Sequence, residues 1–399
     1  METALNGLRV LDVTRYLAGP YGATLLADLG AEVIKVETPG SRPTAPPDVY
    51  AFKGQDAYFL STNRGKKSIV LDLTKPQGRE VFYDLVRKSD VVFDNARPGV
   101  MEKLKADYET LKKVNPRIIC CSITGFGPTG PDSHRPAFDL VIQAMSGGMS
   151  ITGEPGRPPV RSGIAVSDIG AGMFGAMGIL AALHAREHTG VGQKVETSLL
   201  ESHISMLVYE AAYYLLSGLV PGPVASGHRG HITYGAYKAK DEYVAVACVN
   251  DAQSYNLYRA LGRPDMLTHP KFATPAARFN NREELTAILQ EVFLTKPASE
   301  WLDILNQHDV PCSRVNTLDK ALCEPQVLHR DMVVTIDYAG GGQLGQVGNP
   351  IKMSGTPPQV QKEFLSPPLE GQHTDSILSG LLGYPAEKIE MLRREKVVA

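Results

Sequence analysis

The amino-acid sequence has few cysteines and no excess of charge of either sign. Its five cysteines are irregularly spaced, two of them adjacent at Cys120 and Cys121, and none forms a CxxC pair. Such spacing offers neither a disulfide framework nor a zinc site, and it is typical of a reducing, cytoplasmic compartment. The 41 Lys and Arg residues nearly balance 43 Asp and Glu residues, which leaves a net charge of −2. A nucleic-acid partner is therefore not expected, because binding to a phosphate backbone requires a basic surface.

Long apolar runs and common catalytic signatures are also missing. The N-terminus has no basic segment followed by an apolar one, and the best apolar run, 173–185, is too short to span a bilayer. The sequence contains no GxSxG nucleophile elbow, no HExxH motif and no P-loop. His184 and His188 lie four residues apart, but no further metal ligand is close to them in the sequence. We expect a soluble cytoplasmic protein with no membrane partner and no metal site.

The first 125 residues alternate short β-rich runs with helical patterns. Strands are predicted at 8–13, 32–36, 68–73, 90–93 and 117–123, and helices at 21–29, 77–88 and 100–114. Strands separated by such helices are typical of right-handed βαβ crossovers. The sequence therefore predicts a doubly wound α/β domain with a parallel sheet. Ligands of such folds bind at the carboxyl ends of the strands, so a site is expected at the first βα turn, 14–22.

The rest of the chain predicts a second, smaller domain. Long apolar helices are expected at 168–187 and 197–216, and the composition then changes to loop over 217–230. A hairpin at 234–249 and three helices follow, which indicates an α+β domain at about 225–330 between residues 1–224 and a C-terminal stretch, 331–399. Pro and Gly residues at 39–54 predict a long surface excursion.

Residues 125–130 match the GxGxxG pattern of dinucleotide-binding proteins and follow a strand. A helix would have to begin within that motif so that its N–H groups could hold a pyrophosphate. Pro128, Pro131 and Pro136 keep the segment irregular. We therefore interpret it as a Gly/Pro turn rather than a nicotinamide site.

Two groups of residues have both a structural and a functional interpretation. Asp168 stands just before the apolar helix predicted to start near Gly170, where it could be a helix N-cap or a positioned nucleophile held ionised by the helix terminus. His228, Arg229 and His231 lie in a glycine-bearing loop. Donors gathered in such a loop can clamp a carboxylate or a phosphate.

Several long motifs, in order, resemble the class III CoA-transferases, the family of formyl-CoA and carnitine CoA-transferases. They are LRVLDVTRYLAGPYGATLLADLGAEVIKVETPG, NRGKKSIVLDLTKPQGRE, FDNARPGVMEKL, NPRIICCSITGFGPTGP, RPAFDLVIQAMSG, GIAVSDIGAGMFGAMGILAALHAREHTGVGQKVE and PPLEGQHTD. The resemblance covers nearly the whole chain, is weaker at about 235–330, and is closest in character to the branch acting on short dicarboxylates such as succinyl-CoA with glutarate.

The resemblance implies a fold, a mechanism and an assembly. The large domain would be a Rossmann-like sheet built from both chain ends, and two subunits would interlock as a homodimer. Asp168 would be the nucleophile, attacking an acyl-CoA donor to give an anhydride and then an aspartyl-CoA thioester that an acceptor carboxylate opens. CoA and acyl-CoA would be substrates, and neither a metal nor a permanently bound cofactor is implied.

The resemblance also implies contacts with CoA and with the acceptor. By position, the CoA contacts are Leu17, Ala18, Leu71, Asp72, Leu73, Thr74, Asn95, Ala96, Arg97, Lys103, Ala137, Phe138 and Asp139. The chain departs from formyl-CoA transferases at Leu17, where Gln is frequent, and at Thr38, where Arg is common. A poly-glycine loop is replaced by 226–231. We therefore expect a different acyl acceptor, with Arg15, His228 and Arg229 as candidates for its distal carboxylate.

Two alternative functions differ from transfer in their chemistry. The related α-methylacyl-CoA racemases move a proton at the α-carbon with a His and an Asp. That His would stand at Phe138, which carries no proton. The second alternative is a non-catalytic acyl-CoA-binding protein, in which Asp168 would undergo no reaction.

Overall fold

The structure is a computed structural model that describes residues 2–42, 50–358 and 366–399. Within these ranges the chain divides into two compact units. The first comprises Met1–Gly148, Arg161–Gly218 and Pro325–Ala399, and the second comprises Met149–Val160 and Leu219–Glu324. Both chain ends therefore belong to the first unit. The domain boundaries given above, at 225 and 330, stay a prediction.

The described residues contain thirteen β-strands, numbered here in chain order. They are β1 (Arg9–Asp12), β2 (Glu32–Glu37), β3 (Ala51–Phe52), β4 (Gln55–Asp56), β5 (Lys66–Val70), β6 (Val91–Asp94), β7 (Ile119–Thr124), β8 (Lys194–Ser198), β9 (Tyr234–Lys238), β10 (Tyr243–Ala247), β11 (Cys312–Arg314), β12 (Val333–Asp337) and β13 (Gln343–Val347).

The same residues contain eighteen α-helices. They are α1 (Ala18–Asp28), α2 (Ala57–Ser61), α3 (Pro76–Arg87), α4 (Val100–Lys103), α5 (Tyr108–Val114), α6 (Asp139–Met145), α7 (Gly148–Ile151), α8 (Val166–Thr189), α9 (Leu199–Met206), α10 (Val208–Ser217), α11 (Asp251–Ala260), α12 (Pro275–Asn280), α13 (Arg282–Phe293), α14 (Ala298–Gln307), α15 (Leu318–Leu322), α16 (Pro325–His329), α17 (Thr374–Ser376) and α18 (Ala386–Arg394). A 3₁₀ turn covers Pro264–Leu267 and a π-helical turn covers Ile377–Leu381.

Six strands of the first unit form one parallel sheet in the order β5-β2-β1-β6-β7-β8. Helices cover both faces, with α1 and α8 on one side and α3, α5 and the C-terminal helices on the other. The predicted doubly wound α/β sheet is therefore confirmed. The chain leaves β1 toward β2 on one side and returns to β6 on the other, so the strand order reverses beside the first βα turn, where such folds bind ligands.

Helix α8 packs closely against α1 because small residues face each other. A Cβ atom on Gly172 would lie 2.4 Å from the Ala18 carbonyl oxygen, and one on Gly22 would lie 2.6 Å from the Gly172 carbonyl oxygen. Helix α8 is long and apolar enough to cross a membrane by length and composition alone. Core helices of water-soluble domains pass the same test, and α8 also contacts α9, β7 and β8.

Two predicted helices are interrupted. The helix predicted at 100–114 is wrong as one element: it divides into α4 and α5, because Lys105 has φ +54° and the Asp107 carboxylate caps a new helix at the Thr110 N–H, 3.1 Å away. The helix predicted at 197–216 is likewise wrong as one element, because it divides into α9 and α10 at Val208, which has φ +40°. Of the predicted excursion at 39–54, residues 43–49 lie outside the described residues.

The second unit is built around an antiparallel sheet in the order β11-β10-β9. Its core contains an aromatic cluster, in which the rings of Tyr237 and Phe293 stack with centroids 4.9 Å apart. The Trp301 indole N–H donates to the Phe293 carbonyl oxygen at 2.8 Å. The strands of the predicted hairpin at 234–249 are thus confirmed as β9 and β10.

Candidate active site

The turns that follow β1 and β6 are joined by one side chain. The Asn95 amide oxygen accepts the Arg15 N–H at 2.8 Å, and its NH2 group donates to the Arg15 carbonyl oxygen at 2.7 Å. Because parallel strands end at the same edge of a sheet, this contact brings Leu17 and Ala18 close to the turn that begins at Asn95. At the switch point of the sheet, the turns after β1 and β6 are therefore connected by two hydrogen bonds.

Buried charges lie beneath the first turn. The Lys66 ammonium contacts the Asp12 carboxylate at 2.9 Å and the Pro20 carbonyl oxygen at 2.9 Å, and the Lys35 ammonium donates to the Thr14 carbonyl oxygen at 2.9 Å. Burial opposes ionisation of Asp12, but the two lysines outweigh it and hold its pKa well below the usual range. Two cations against one carboxylate leave a positive field under the turn, which suits an anionic ligand.

Asp168 lies in the first turn of α8 rather than at its cap. The helix begins at Val166 with Ala165 as the capping residue, so the N-cap interpretation of Asp168 is wrong. The carboxylate is half-buried, and within the described part of the chain no hydrogen-bond donor contacts it. Burial, followed by the negative charge of the nearby Asp139 carboxylate, raises the pKa of Asp168 to about 6. Asp168 is thus a carboxylate that no described hydrogen-bond donor holds in place and that is more basic than an ordinary aspartate.

Asp139 takes the capping role that Asp168 lacks. It is buried at the start of α6 and accepts the Ser167 N–H at 2.9 Å and the Gln143 side-chain amide at 2.6 Å. Its negative charge therefore lies against the first turn of α8. The resemblance predicts Asp139 as a CoA contact, and the structure adds that it supports the nucleophile candidate.

Tyr58, in α2, is a site residue that the sequence did not indicate. Burial, followed by the negative charges of Asp168, Asp56 and Asp139, raises its pKa to about 12. Its hydroxyl is therefore close enough to feel the charges of Asp168 and Asp139, and it stays protonated at neutral pH. No local sequence signal identifies it, because only the tertiary fold brings α2 to α8.

An aromatic pair forms one wall of the site. The rings of Tyr16 and Phe138 meet edge to face with centroids 5.8 Å apart, although both remain largely exposed. Tyr16 has φ +65°, a strained conformation for an aromatic residue. Phe138 precedes Asp139 directly and cannot exchange protons, which is unfavourable for racemase chemistry.

The remaining predicted CoA contacts differ in accessibility. Leu71 and Leu73 lie in the hydrophobic core, so only their backbone atoms can meet a ligand. The Asp72 carboxylate accepts the Thr74 N–H at 3.0 Å, which forms a tight turn after β5. Four others, in the turns after β6 and β7 and in α4, are partly or fully exposed: Ala96, Arg97, Lys103 and Ala137. All of these contacts stay predictions.

The candidates for the acceptor clamp fall in different units. Arg15, in the first unit, donates from its guanidinium to the Thr38 hydroxyl at 2.8 Å. Its guanidinium therefore lies beside Thr38, the residue that directly follows β2. His228 and Arg229 belong to the second unit. There the His228 ring lies 4.7 Å from that of His231 and 5.7 Å from that of Tyr234.

Metal ligands and the dinucleotide pattern do not add to the site. Across residues 2–42, 50–358 and 366–399, no group of three His, Cys, Asp or Glu side chains could hold a metal ion. His184 and His188 are exposed on α8. Residues 125–130 are irregular, and the next helix, α6, begins only at Asp139. The Gly/Pro turn interpretation is therefore confirmed.

Asp139→Asn is expected to move the pH dependence of the reaction. Asparagine keeps an oxygen for the Ser167 N–H but removes the negative charge that helps to raise the pKa of Asp168. That pKa falls, so Asp168 stays ionised at lower pH and the acid limb, which we expect near pH 6 in the wild type, moves downward. The rate of the attack by Asp168 that the resemblance implies, measured against pH, tests this. An acid limb that stays in place would show that the Asp139 charge does not act on Asp168.

Comparison with known proteins agrees with this geometry. The family model described as "CoA-transferase family III" matches residues 5–374. A succinyl-CoA:glutarate CoA-transferase from Mus musculus is 37% identical over 392 residues, covering 97% of this chain and 88% of that protein. An acetyl-CoA:oxalate CoA-transferase from Acetobacter aceti is 38% identical over 351 residues, covering 88% of this chain and 89% of that protein.

A solved structure shares the fold along the same length. The crystal structure of a CAIB/BAIF family protein from Brucella suis superimposes with a TM-score of 0.84 at 37% identity, and it covers 96% of this chain and 100% of that one. The family match, the two relatives and this structure each span most of the chain. The chain belongs to CoA-transferase family III and is a transferase.

Proposed function

We propose that this protein moves CoA from a short dicarboxylyl-CoA, such as succinyl-CoA, to a free carboxylic acid, with Asp168 as covalent nucleophile. The observation that carries the proposal is the half-buried Asp168 carboxylate, which has no donor among the described residues and a raised pKa. It lies in the first turn of α8, whose helix packs against the ligand-binding turn at α1. A pKa near 6 leaves the group ionised at neutral pH and more nucleophilic than an ordinary aspartate.

The proposed transfer has four steps. An Asp168 oxygen attacks the donor thioester carbon, the C–S bond breaks, and CoA thiolate and a mixed anhydride form. The thiolate attacks the Asp168 carboxyl carbon, and the donor acid leaves with the bridging oxygen. The acceptor carboxylate then displaces the thiolate from the aspartyl thioester to form a second anhydride. Finally the thiolate attacks the acceptor carbonyl, and the bridging oxygen stays on Asp168.

This sequence of steps explains why a carboxylate is required. An anhydride has two acyl carbons that a thiolate can attack, so the reaction can proceed in either direction, whereas a serine ester would release only one acyl group.

We propose that the residues at the sheet edge hold CoA. They are Leu17, Ala18, Leu71, Asp72, Leu73, Thr74, Asn95, Ala96, Arg97, Lys103, Ala137, Phe138 and Asp139. The positive field beneath the first turn supports binding of the CoA phosphates there.

The acceptor is proposed to be a dicarboxylate. By their names, the mouse relative uses glutarate and the Acetobacter relative uses oxalate, and both acids carry a second carboxylate. We propose that Arg229 and His228 bind this distal carboxylate, and Arg15 is a second candidate for the same role. Guanidinium groups suit this role because they bind carboxylates through two parallel hydrogen bonds.

Arg229→Ala tests the clamp. Its KM for glutarate is expected to rise roughly tenfold, as for the loss of a charged hydrogen bond, while KM for butyrate stays near the wild-type value. Arg15→Ala assayed with the same two acids shows whether the second candidate contributes. Equal changes for glutarate and butyrate in Arg229→Ala would refute the clamp. Steady-state assays of the two acids with one donor provide the measurement.

Two alternatives give different results with acyl-CoA alone. A racemase would introduce solvent deuterium at the α-carbon without any acceptor acid, whereas a transferase of this mechanism would not. A non-catalytic binding protein would bind acyl-CoA and leave Asp168 unchanged. Mass spectrometry of acyl-CoA incubated in deuterated water, with and without glutarate, distinguishes the three functions.

We also propose a homodimer, of the interlocked kind that the resemblance implies. Apolar side chains of the first unit are exposed on three helices: Met177 on α8, Leu140 on α6 and Leu216 on α10, the last 88% exposed. No residue of α10 is buried. We propose that a second copy of the chain covers these faces, and sedimentation equilibrium, which measures the mass of the assembly, tests this.

We further propose a cytoplasmic location, in keeping with the five cysteine thiols.

A further inference from the structure

A buried polar pair lies directly behind Asp168. Ser167 is fully buried, and its hydroxyl lies 2.8 Å from Nδ1 of His203, which is also buried and belongs to α9. The Ser167 N–H donates in addition to the Asp139 carboxylate on α6 at 2.9 Å. The residue before Asp168 is therefore held from two helices at once, through its backbone and through its side chain.

The segment leading into α8 is held at a further point. Gln143, buried on α6, donates from its amide to Asp139 at 2.6 Å and accepts the Ser162 N–H at 2.8 Å. The same α6 residue thus orders both the capping carboxylate and the chain five residues before Ser167. The hydrogen bonds of Asp139 with Gln143 and Ser167 are buried, where bonds between polar groups are stronger and an unmade one is costly.

The position of the His203 ring depends on a glycine. A Cβ atom on Gly148 would lie 2.3 Å from Nε2 of His203, and 2.9 Å from its Cε1. Any larger residue at position 148 would displace the imidazole ring, because the atoms nearest to its Cβ belong to that rigid ring. The absence of a side chain at Gly148 therefore leaves room for the imidazole in the position where it meets Ser167.

The charge of His203 is consistent with a structural rather than an acid–base role. Burial lowers its pKa, and the nearby Asp139 carboxylate only partly opposes this. The ring is thus neutral at neutral pH. Asp139 and Tyr58 are the titratable groups that interact with Asp168, so His203 acts through Ser167 and not as a counter-ion.

We propose that the Ser167–His203 pair is a positioning device that sets the orientation of the first turn of α8, and with it the Asp168 carboxylate. The proposal rests on the proposed function, in which Asp168 attacks a thioester. An attacking oxygen must lie within about 3–3.5 Å of the carbon, and a displacement near 1 Å reduces the rate on the order of 100-fold. A carboxylate with no donor of its own depends on its backbone for this accuracy.

Ser167→Ala removes only the hydroxyl and is expected to slow formation of the Asp168 adduct on the order of 10- to 100-fold in single turnover. The dissociation constant for acyl-CoA should stay within about twofold, because Ser167 is not in a ligand contact. His203→Asn, which can keep a polar atom near the Nδ1 position, should be faster than His203→Leu. Ser167→Ala combined with His203→Leu should be no slower than His203→Leu alone, because the two residues act through one bond.

Ser89→Ala is the matched control. Ser89 is also buried and donates to the Leu85 carbonyl oxygen at 2.8 Å, so the same atom is deleted away from the site. Its adduct rate should equal that of the wild type. If Ser167→Ala also reacts at the wild-type rate, or if Ser167→Ala and His203→Leu are additive, the positioning role is refuted. If His203→Leu does not fold, Gly148→Ala replaces it. Gly148→Ala displaces the His203 ring and is expected to slow adduct formation as much as Ser167→Ala does. A wild-type protein without any Asp168 adduct would refute the proposed function as well.

Discussion

Replacing Asp168 by asparagine is expected to abolish CoA transfer, with a fall on the order of 10⁴-fold or more. The amide cannot form the anhydride, and no neighbouring group can replace the reacting oxygen, because Asp139 is buried and engaged by Ser167 and Gln143. The rate of acceptor acyl-CoA formation provides the measurement. Residual transfer within tenfold of the wild type would show that another group reacts.

The same variant should fold well, which separates lost chemistry from lost structure. The pKa of Asp168 is raised from 3.8 to about 6 in the folded chain, so the ionised form destabilises the fold as pH rises from about 4 to about 6. Asparagine has no such penalty. Its free energy of unfolding should therefore equal or exceed that of the wild type at neutral pH, and urea unfolding at pH 5 and pH 8 tests the sign.

Gly172→Val should produce the largest loss of stability, about 3 kcal/mol. A Cβ atom at this position would lie 2.4 Å from the Ala18 carbonyl oxygen, a backbone atom that cannot move unless α1 moves. Because α1 begins at the first βα turn and α8 carries Asp168, the substitution also separates the two halves of the site. Urea unfolding gives the free energy, and the transfer rate should fall in the protein that remains folded.

Gly345→Val is the control for Gly172→Val. Gly345 lies exposed in β13, and a Cβ atom there meets no atom within 4 Å. Valine suits a strand, so this variant should be as stable as the wild type or slightly more so. Similar losses for both variants would mean that the close approach of α1 and α8 does not limit the size of residue 172.

The sheet was predictable from the sequence because its signals are local. The apolar runs of β1 and β2 and the Gly30 that follows α1 are each recognised within a few consecutive residues, and parallel pairing follows from the helix between the strands. The break between α4 and α5 was missed for the opposite reason. It depends on the left-handed backbone at Lys105, a conformation that the side chain does not favour.

The site was only partly predictable. The resemblance gave Asp168 its proposed role, but the residue types alone favoured an N-cap, and the cap is in fact supplied by Asp139, 28 residues before Ser167. His203, 36 residues after Ser167, and Tyr58 are brought to the site only by tertiary packing. A pattern in a single sequence does not show which residues, separated by tens of positions, come into contact in the folded chain.

One labelling measurement tests the covalent mechanism directly. The protein is incubated with succinyl-CoA and glutarate carrying ¹⁸O in its carboxylates, quenched, digested and examined by peptide mass. The mechanism predicts a CoA adduct on the peptide that contains Asp168 during turnover, and one ¹⁸O atom in Asp168 after a completed transfer. An Asp168 that is neither modified nor labelled while glutaryl-CoA accumulates would contradict it.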